Sequence, residues 1–300
     1  MRKILFIINS KAGKTEFDIK KEDIENTFRR VKRISEIEVV NTRYKNHTKY
    51  LIDAFDSLDY DEKVVIICGG DGSLNELVNV VYGKNMAIGL IPMGTGNDFA
   101  KNFDYDSFKL TDLLDFRIKP IDLIKVNDFY SINVTSIGFD TQVLEKAYEY
   151  LDKKPKLGKK AYLKATLASL IDLNYENLSF KLKLKDGSHF EISGEYLISA
   201  LCNGSYYGSG FNPAPEAKID DGYLNLILAD KIPLPKLPGM ILKYKKGRHQ
   251  ASKYLREIEV TKGKIISPKE FIANADGEIF RAKEIDFEVL PKAINWVYFN

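Results

Sequence analysis

The sequence predicts two domains, a Rossmann-like parallel α/β domain over residues 1–121 and a mostly antiparallel β domain over 122–290, with the active site in the cleft between them. Three observations lead there. Three hundred residues make one large domain or two ordinary ones. Up to about Lys119, short β-branched runs alternate with stretches of 3.6-residue apolar spacing, a βαβα rhythm. Beyond that point the pattern has period two and is punctuated by turn dipeptides.

The strands expected in the first domain cover residues 4–8, 37–40, 64–68 and 87–91. Parallel neighbours need a crossover of a dozen or more residues, and the intervening helical patterns supply it. In the second domain, Asn127-Asp128, Asp186-Gly187, Asp221-Gly222, Lys262-Gly263 and Asp276-Gly277 read as hairpin turns. Helical patterns over 141–151 and 161–173 interrupt the strands. A last strand, within about 291–300, can pair with either domain. No internal repeat or low-complexity segment is visible.

Composition excludes several classes. With 44% hydrophobic and 29% charged residues the chain can bury a core, so it is neither disordered nor fibrous. A net charge of +3 is too balanced to indicate a nucleic-acid partner. Cys68 and Cys202 fall in apolar runs without CxxC or His spacing, which fits reduced thiols in the cytoplasm and no structural zinc. The apolar start stops at Asn9-Ser10-Lys11, too early for a signal peptide, and no stretch approaches a membrane span.

Chemistry points to the strand ends. Three early strands run into glycine loops: Asn9-Ser10-Lys11-Ala12-Gly13, Gly69-Gly70-Asp71-Gly72-Ser73, and Pro92-Met93-Gly94-Thr95-Gly96-Asn97-Asp98. In a parallel sheet these loops emerge at one edge, where ligands of open α/β sheets sit. Glycines let backbone N–H groups curl around an anion, and a following helix presents its positive end. Neither GxxxxGK[ST] nor GxGxxG fits. Asp71 is a poor neighbour for a bare phosphate, and Mg²⁺ travelling with ATP would resolve the repulsion. The plainer reading makes each loop a tight connection, with Asp71 capping its helix.

The run GGDGSLNE (Gly69 to Glu76), followed about twenty residues later by PMGTGNDFAK (Pro92 to Lys101), resembles the catalytic domain of diacylglycerol kinases, in the soluble bacterial lipid kinase family that includes sphingosine and ceramide kinases. GGDG alone also occurs in NAD kinases and phosphofructokinases; GTGND with Phe99-Ala100 is more specific. Further matches extend through Asp122 to Asn127, Gly138-Phe139-Asp140, Asn203 to Gly210, Asp220 to Leu224 and Asp276-Gly277-Glu278. One departure is Asn9 to Gly13, where the family usually has Asn-Pro-x-Ser-Gly; the asparagine and glycine remain.

The resemblance implies that Asn9, Ser10, Lys11, Ala12, Gly13, Thr42, Gly69, Gly70, Asp71, Gly72, Ser73, Leu74, Asn75 and Thr95 line an ATP site. It implies catalytic roles for Glu278, as the proton acceptor, and for Asp71. Asp221, with the carbonyls of Lys218 and Tyr223, corresponds to a second Mg²⁺ site. From sequence alone Glu278 is an ordinary strand start after a turn, and Asp220-Asp221-Gly222 an ordinary hairpin turn. Asp122 reads equally as a hinge or cleft residue and as a strand start. His47, His189 and His249 have no metal spacing.

Two basic-apolar stretches stand out: Lys153, Lys154, Lys156, Lys159, Lys160 and Lys164 among Leu151, Leu157, Tyr162 and Leu163, and Lys243, Lys245, Lys246 and Arg248 after a Pro-rich apolar run. Together they are the candidate membrane face; singly each reads as well as a solvated loop. The expectation is a cytoplasmic lipid kinase, peripheral to the inner face of the membrane, using ATP and Mg²⁺ on a membrane lipid, foremost diacylglycerol, with its acceptor pocket in the second domain. A homodimer is left open. The rivals are a kinase of a soluble acceptor such as NAD or a sugar phosphate, and a catalytically silent lipid-binding regulator.

Overall fold

The computed structural model describes residues 2–9, 19–29, 36–44 and 46–299. The chain forms two compact units, residues 1–123 with 219–221 and 290–300, and residues 124–218 with 222–289.

The first unit is built from β1 (Arg2–Ile8), α1 (Lys21–Arg29), β2 (Glu36–Asn41), α2 (His47–Asp56), β3 (Glu62–Gly69), α3 (Asp71–Val81) and β4 (Ala87–Pro92). The strands pair in parallel in the order β4-β3-β1-β2. β1, β3 and β4 are nearly continuous apolar runs because helices cover parallel strands on both faces. β2, at the edge, buries only Val39. The core gathers Ile4, Phe6, Ile24, Val64, Ile66 and Ile91, closed by Val297 from the far end of the chain.

The second unit carries most of β5 (Phe116–Val126) and β6 (Phe129–Ser131), then β7 (Val134–Gly138), α4 (Phe139–Lys153), α5 (Lys159–Ile171), β8 (Glu176–Leu184), β9 (His189–Tyr196) and β10 (Ile198–Cys202). β11 (Leu224–Ala229), α6 (Leu237–Lys245), β12 (Leu255–Ala275) and β13 (Glu278–Phe299) follow. Its antiparallel pairings run in a circuit, β7-β10-β11-β12 and back to β7. β12 can close the circuit because it is 21 residues long, meeting β11 with its first residues, β8 with its middle and β7 with its last. β13 leaves the second unit after Val289, and its Asn295 and Trp296 pair in parallel with β4.

Two of the five expected turns are something else. Lys262-Gly263 lies inside β12, where a Cβ on Gly263 would sit 2.5 Å from the Lys181 carbonyl oxygen; the glycine permits close approach of β8 rather than a turn. Asp221-Gly222 ends the long connection from β10 to β11 instead of joining adjacent strands of a tight hairpin. Asp276-Gly277 is a two-residue hairpin turn, with φ of 48° and 98° and Ala275 facing Glu278 across it.

Candidate active site

In the first unit the carboxyl end of the parallel sheet brings two glycine loops into backbone contact. β3 runs into Gly69-Gly70, and α3 starts at once on Asp71. The Met93 N–H donates to the Gly69 carbonyl at 2.8 Å, tying the loop after β4 to the one after β3. A Cβ on Gly94 would stand 2.4 Å from the Gly70 Cα, and one on Gly70 would stand 2.9 Å from the Gly94 Cα. Only glycine at both places lets the loops close on one another. Gly72 differs: an added Cβ would meet nothing within 4 Å, so no packing inside the protein asks for that glycine.

The loop after β4 is shaped by Asn97, which adopts φ of 49°. Its Oδ1 accepts from the Gly94 N–H at 2.9 Å, and its Nδ2 donates to the Gly94 carbonyl at 2.8 Å. Lys101 donates to the Gly96 carbonyl and pairs with the buried Asp98.

Asp71 does not cap its helix. Gly70 occupies the cap position, and the Asp71 carboxylate instead accepts the Phe99 N–H at 3.2 Å. Burial, and then the neighbouring Asp98 charge, push the Asp71 carboxyl above its ordinary value, against the backbone N–H groups of Asp98 and Phe99. Two acids thus share one site between two glycine loops, an arrangement that a divalent cation would relieve.

Other expected nucleotide-site residues gather at the same sheet edge. Asn9 follows β1, its N–H bonded to the Cys68 carbonyl and its side-chain amide donating to Ser73 Oγ at 2.7 Å. The Thr42 N–H donates to the Ile8 carbonyl, placing it beside the end of β1. Asn75 is buried in the first turns of α3, and Thr95 is exposed. Leu74 is the exception: its side chain is wholly buried in the core and its N–H is spent on the Gly70 carbonyl, so it supports α3 rather than presenting a group to a ligand. Ser10, Lys11, Ala12 and Gly13 lie outside the described residues.

Asp122 is not a strand start. It is wholly buried in the interior of β5, where its carboxylate accepts the Lys292 N–H at 2.7 Å and its own N–H donates to the Ile219 carbonyl. Asp221 belongs to the first unit, whereas Lys218 and Tyr223 belong to the second. Among the described residues no group of three His, Cys, Asp or Glu side chains is placed to hold a metal.

In the second unit the turn between β12 and β13 presents Glu278 to solvent as the first residue of β13. The turn is anchored by its neighbour. The half-buried Asp276 accepts backbone N–H groups on its carboxylate from Ile132 at 2.6 Å, Asn133 at 3.2 Å and Val134 at 2.9 Å, while its own N–H donates to the Val134 carbonyl. Burial raises its pKa to about 6 in spite of those donors. Asn274 Oδ1 takes the Gly277 N–H at 2.7 Å, and Tyr148 of α4 donates to the Gly277 carbonyl at 3.1 Å. Burial first, then Tyr162 and Glu278, push the Tyr148 hydroxyl up to about 12, so it stays a donor at neutral pH.

The same unit holds a narrow pocket of about 30 Å³ whose walls expose only apolar atoms. Phe139, Leu173, Leu197, Ile232, Met240 and Tyr244 are among its lining residues. Sequence reading named its polar neighbour Asp140, next in chain to Phe139, only as part of a matching run and gave it no role. The Asp140 carboxyl is held up by burial, with the Ser136 and Tyr207 hydroxyls pulling the other way, and Tyr207 contacts Tyr244 through their hydroxyls at 3.4 Å. The signal was present as an acid at the start of an apolar helix pattern, which by itself reads as an N-terminal charge.

Comparison with known proteins agrees with this layout. Residues 3–126 match the diacylglycerol kinase catalytic domain, and residues 133–298 match the YegS C-terminal NAD kinase beta sandwich-like domain. The chain is 32% identical over 242 residues to a protein of Shewanella frigidimarina named "Probable lipid kinase YegS-like", covering 78% of this chain and 75% of the relative. A protein of the same name from Pectobacterium atrosepticum is 32% identical over 242 residues, covering 77% and 76%. The crystal structure of a diacylglycerol kinase from Bacillus anthracis shares the fold, with a TM-score of 0.69 at 18% identity over 99% of this chain and 96% of that one. A second solved chain from that organism gives a TM-score of 0.73 at 21% identity, with the same coverage. A catalytic domain, a C-terminal domain and relatives that span three quarters of their length on this sequence place the chain in the YegS-like lipid kinase family.

Proposed function

We propose that this protein transfers the γ-phosphoryl group of ATP to the hydroxyl of diacylglycerol, giving phosphatidic acid, with Glu278 as the base. The observation that supports a lipid acceptor most directly is the pocket of the second unit, whose walls show no polar atom to a ligand. An NAD ribose or a sugar phosphate would lose its hydrogen bonds to water there and gain none.

In this reading the first unit holds the nucleotide. The glycine loops offer N–H groups and the start of α3 to the phosphates, and Gly72 leaves room for them to approach. Mg²⁺ would neutralise charge on the triphosphate, and the chain's fitting donors are the Asp71 and Asp98 carboxyls, whose mutual repulsion is already on display in the raised Asp71. Glu278, exposed at the turn, takes the proton of the acceptor hydroxyl. A new bond forms between the acceptor oxygen and the γ-phosphorus. The bond to the bridging oxygen breaks, and its electron pair leaves with ADP. Peripheral contact with the membrane belongs to the same proposal, since diacylglycerol resides there.

The test is transfer of labelled phosphate from ATP, with Mg²⁺, to detergent-dispersed diacylglycerol, other glycerolipids, long-chain alcohols and NAD. Preferred labelling of diacylglycerol is the expected result. Labelling of NAD alone would return the protein to soluble acceptors, and no transfer to any acceptor would favour a silent lipid-binding protein.

A further inference from the structure

The peptide that joins Gly277 to Glu278 is the loosest link under the proposed base. Glu278 is exposed, so the backbone beneath it decides where its carboxylate stands. Asp276 fixes the other side of the turn, through the N–H groups of Ile132, Asn133 and Val134. Gly277 follows at φ of 98°, and no Cβ restricts the rotation of its carbonyl. That carbonyl and the Glu278 N–H lie in one planar unit, so whatever holds the oxygen also sets the direction in which Glu278 leaves the turn.

The group that holds it comes from α4. The Tyr148 hydroxyl donates to the Gly277 carbonyl oxygen at 3.1 Å, while Asn274 Oδ1 accepts the Gly277 N–H at 2.7 Å. Because burial keeps the proton on that hydroxyl, with a pKa of about 12, the tie does not lapse near neutral pH. A second tie runs beside it. Glu145, three residues before Tyr148 and on the same face of α4, accepts from the Arg281 guanidinium at 2.6 Å. The two ties meet the chain on either side of Glu278. α4 can serve as their support because it is itself rooted in the unit: its Phe139 N–H donates to the Leu197 carbonyl at 2.8 Å, and Thr141 and Ala147 are fully buried. Phe139, the first residue of α4, also lines the apolar pocket. One helix thus touches the pocket at its start and the base-bearing turn farther along.

We propose that Tyr148 is a positioning residue for Glu278: its hydroxyl locks the Gly277 carbonyl and so aims the neighbouring carboxylate at the acceptor hydroxyl. The role rests on the reading of Glu278 as the base. Tyr148 takes no proton and touches no reacting atom. Its effect is on the chemical step alone, because neither the glycine loops of the first unit nor the pocket walls depend on its hydroxyl.

The experiment sets Tyr148→Phe, Glu278→Gln and the double variant beside wild type in the transfer assay with detergent-dispersed diacylglycerol, with thermal unfolding and amide hydrogen exchange of the turn. Tyr148→Phe removes one oxygen from a ring that is 39% exposed, and it should melt as wild type does. Its kcat should fall about tenfold, with KM for ATP and for diacylglycerol within about twofold. Amide exchange at Gly277 and Glu278 should quicken about fivefold. In the Glu278→Gln background the same substitution should change the residual rate by less than about twofold, because Tyr148 acts only through Glu278. A hydroxyl that served structure alone would cost the same factor in both backgrounds. Tyr150→Phe is the control on the same helix and should match wild type, since the Tyr150 ring faces the Lys164 ammonium rather than the turn. Wild-type kcat in Tyr148→Phe, an equal loss in both backgrounds, or unchanged exchange at the turn overturns the proposal and leaves the base assignment standing. Full activity in Glu278→Gln, or a wild type that labels no lipid, instead brings down the reading of the base, and the role of Tyr148 with it.

Discussion

The two units hold their functional groups by opposite means. In the first, a close approach of two bare backbones, Gly70 against Gly94, fixes the two glycine loops, and side chains are excluded from the contact. In the second, a carboxylate does the fixing: Asp276 gathers three consecutive N–H groups and leaves Glu278 at the lip of a two-residue turn. In the proposed reading, an anion site needs free backbone donors, which glycine leaves accessible, and a base needs one carboxylate in the open, while the acid beside it anchors the turn.

The sharpest break in that contrast is at the base. Glu278→Gln keeps shape and removes the proton acceptor, so kcat for lipid phosphorylation should fall by ~10²–10⁴ with ATP binding intact. Parity with wild type in a steady-state assay would remove Glu278 from the mechanism. Next comes Gly94→Ala, which forces the loops apart. It should destabilise the first unit by about 1–3 kcal/mol and lower kcat/KM for ATP about a hundredfold, read by thermal unfolding and kinetics.

Asp276→Asn should cost about tenfold in kcat, because an amide cannot accept as many N–H groups as a carboxylate and the turn loosens. It has a pH signature. The native pKa of about 6 stands above the ordinary aspartate value of 3.8, so the fold binds this proton more tightly than the unfolded chain does. The associated stability is full below 3.8 and is lost as pH rises through about 6, by at most about 3 kcal/mol. Unfolding of D276N between pH 4 and 7 should lack that decline. The smallest effect belongs to Gly72→Ala, which should raise KM for ATP about tenfold and leave the melting temperature unchanged, since an added Cβ would meet no protein atom within 4 Å and, in the proposed reading, would face the phosphates.

The first unit was largely legible because parallel strands covered on both faces are written as unbroken apolar runs, and their loops must share one edge. β1, β3 and β4 each extend an expected strand by no more than a few residues. The antiparallel unit was less so. Lys262-Gly263 has the composition of a turn, but the reason for its glycine is the Lys181 carbonyl of a strand just over eighty residues earlier in the chain. The anchor of Asp276 was equally invisible, since its donors at Ile132 to Val134 are some 140 residues away. Periodicity reported a helix at α5 but not which side faces in. Alanine inside and leucine outside are both apolar, and only packing tells them apart.

The passage of β13 from one unit to the other bears on how the chain is made. Trp296 is fully buried in the first unit, stacked on Phe103 at 5.4 Å and edge-on to Phe99, and Val297 closes the core beside β4. During synthesis the ribosome delivers β1 to β4 long before it delivers these residues. The nascent first unit must wait with an uncapped sheet edge and an open aromatic slot until Asn295, Trp296 and Val297 have left the exit tunnel. The sheet of β1 to β4 is therefore made well before it can finish folding, and the interval between is when a chaperone would be needed.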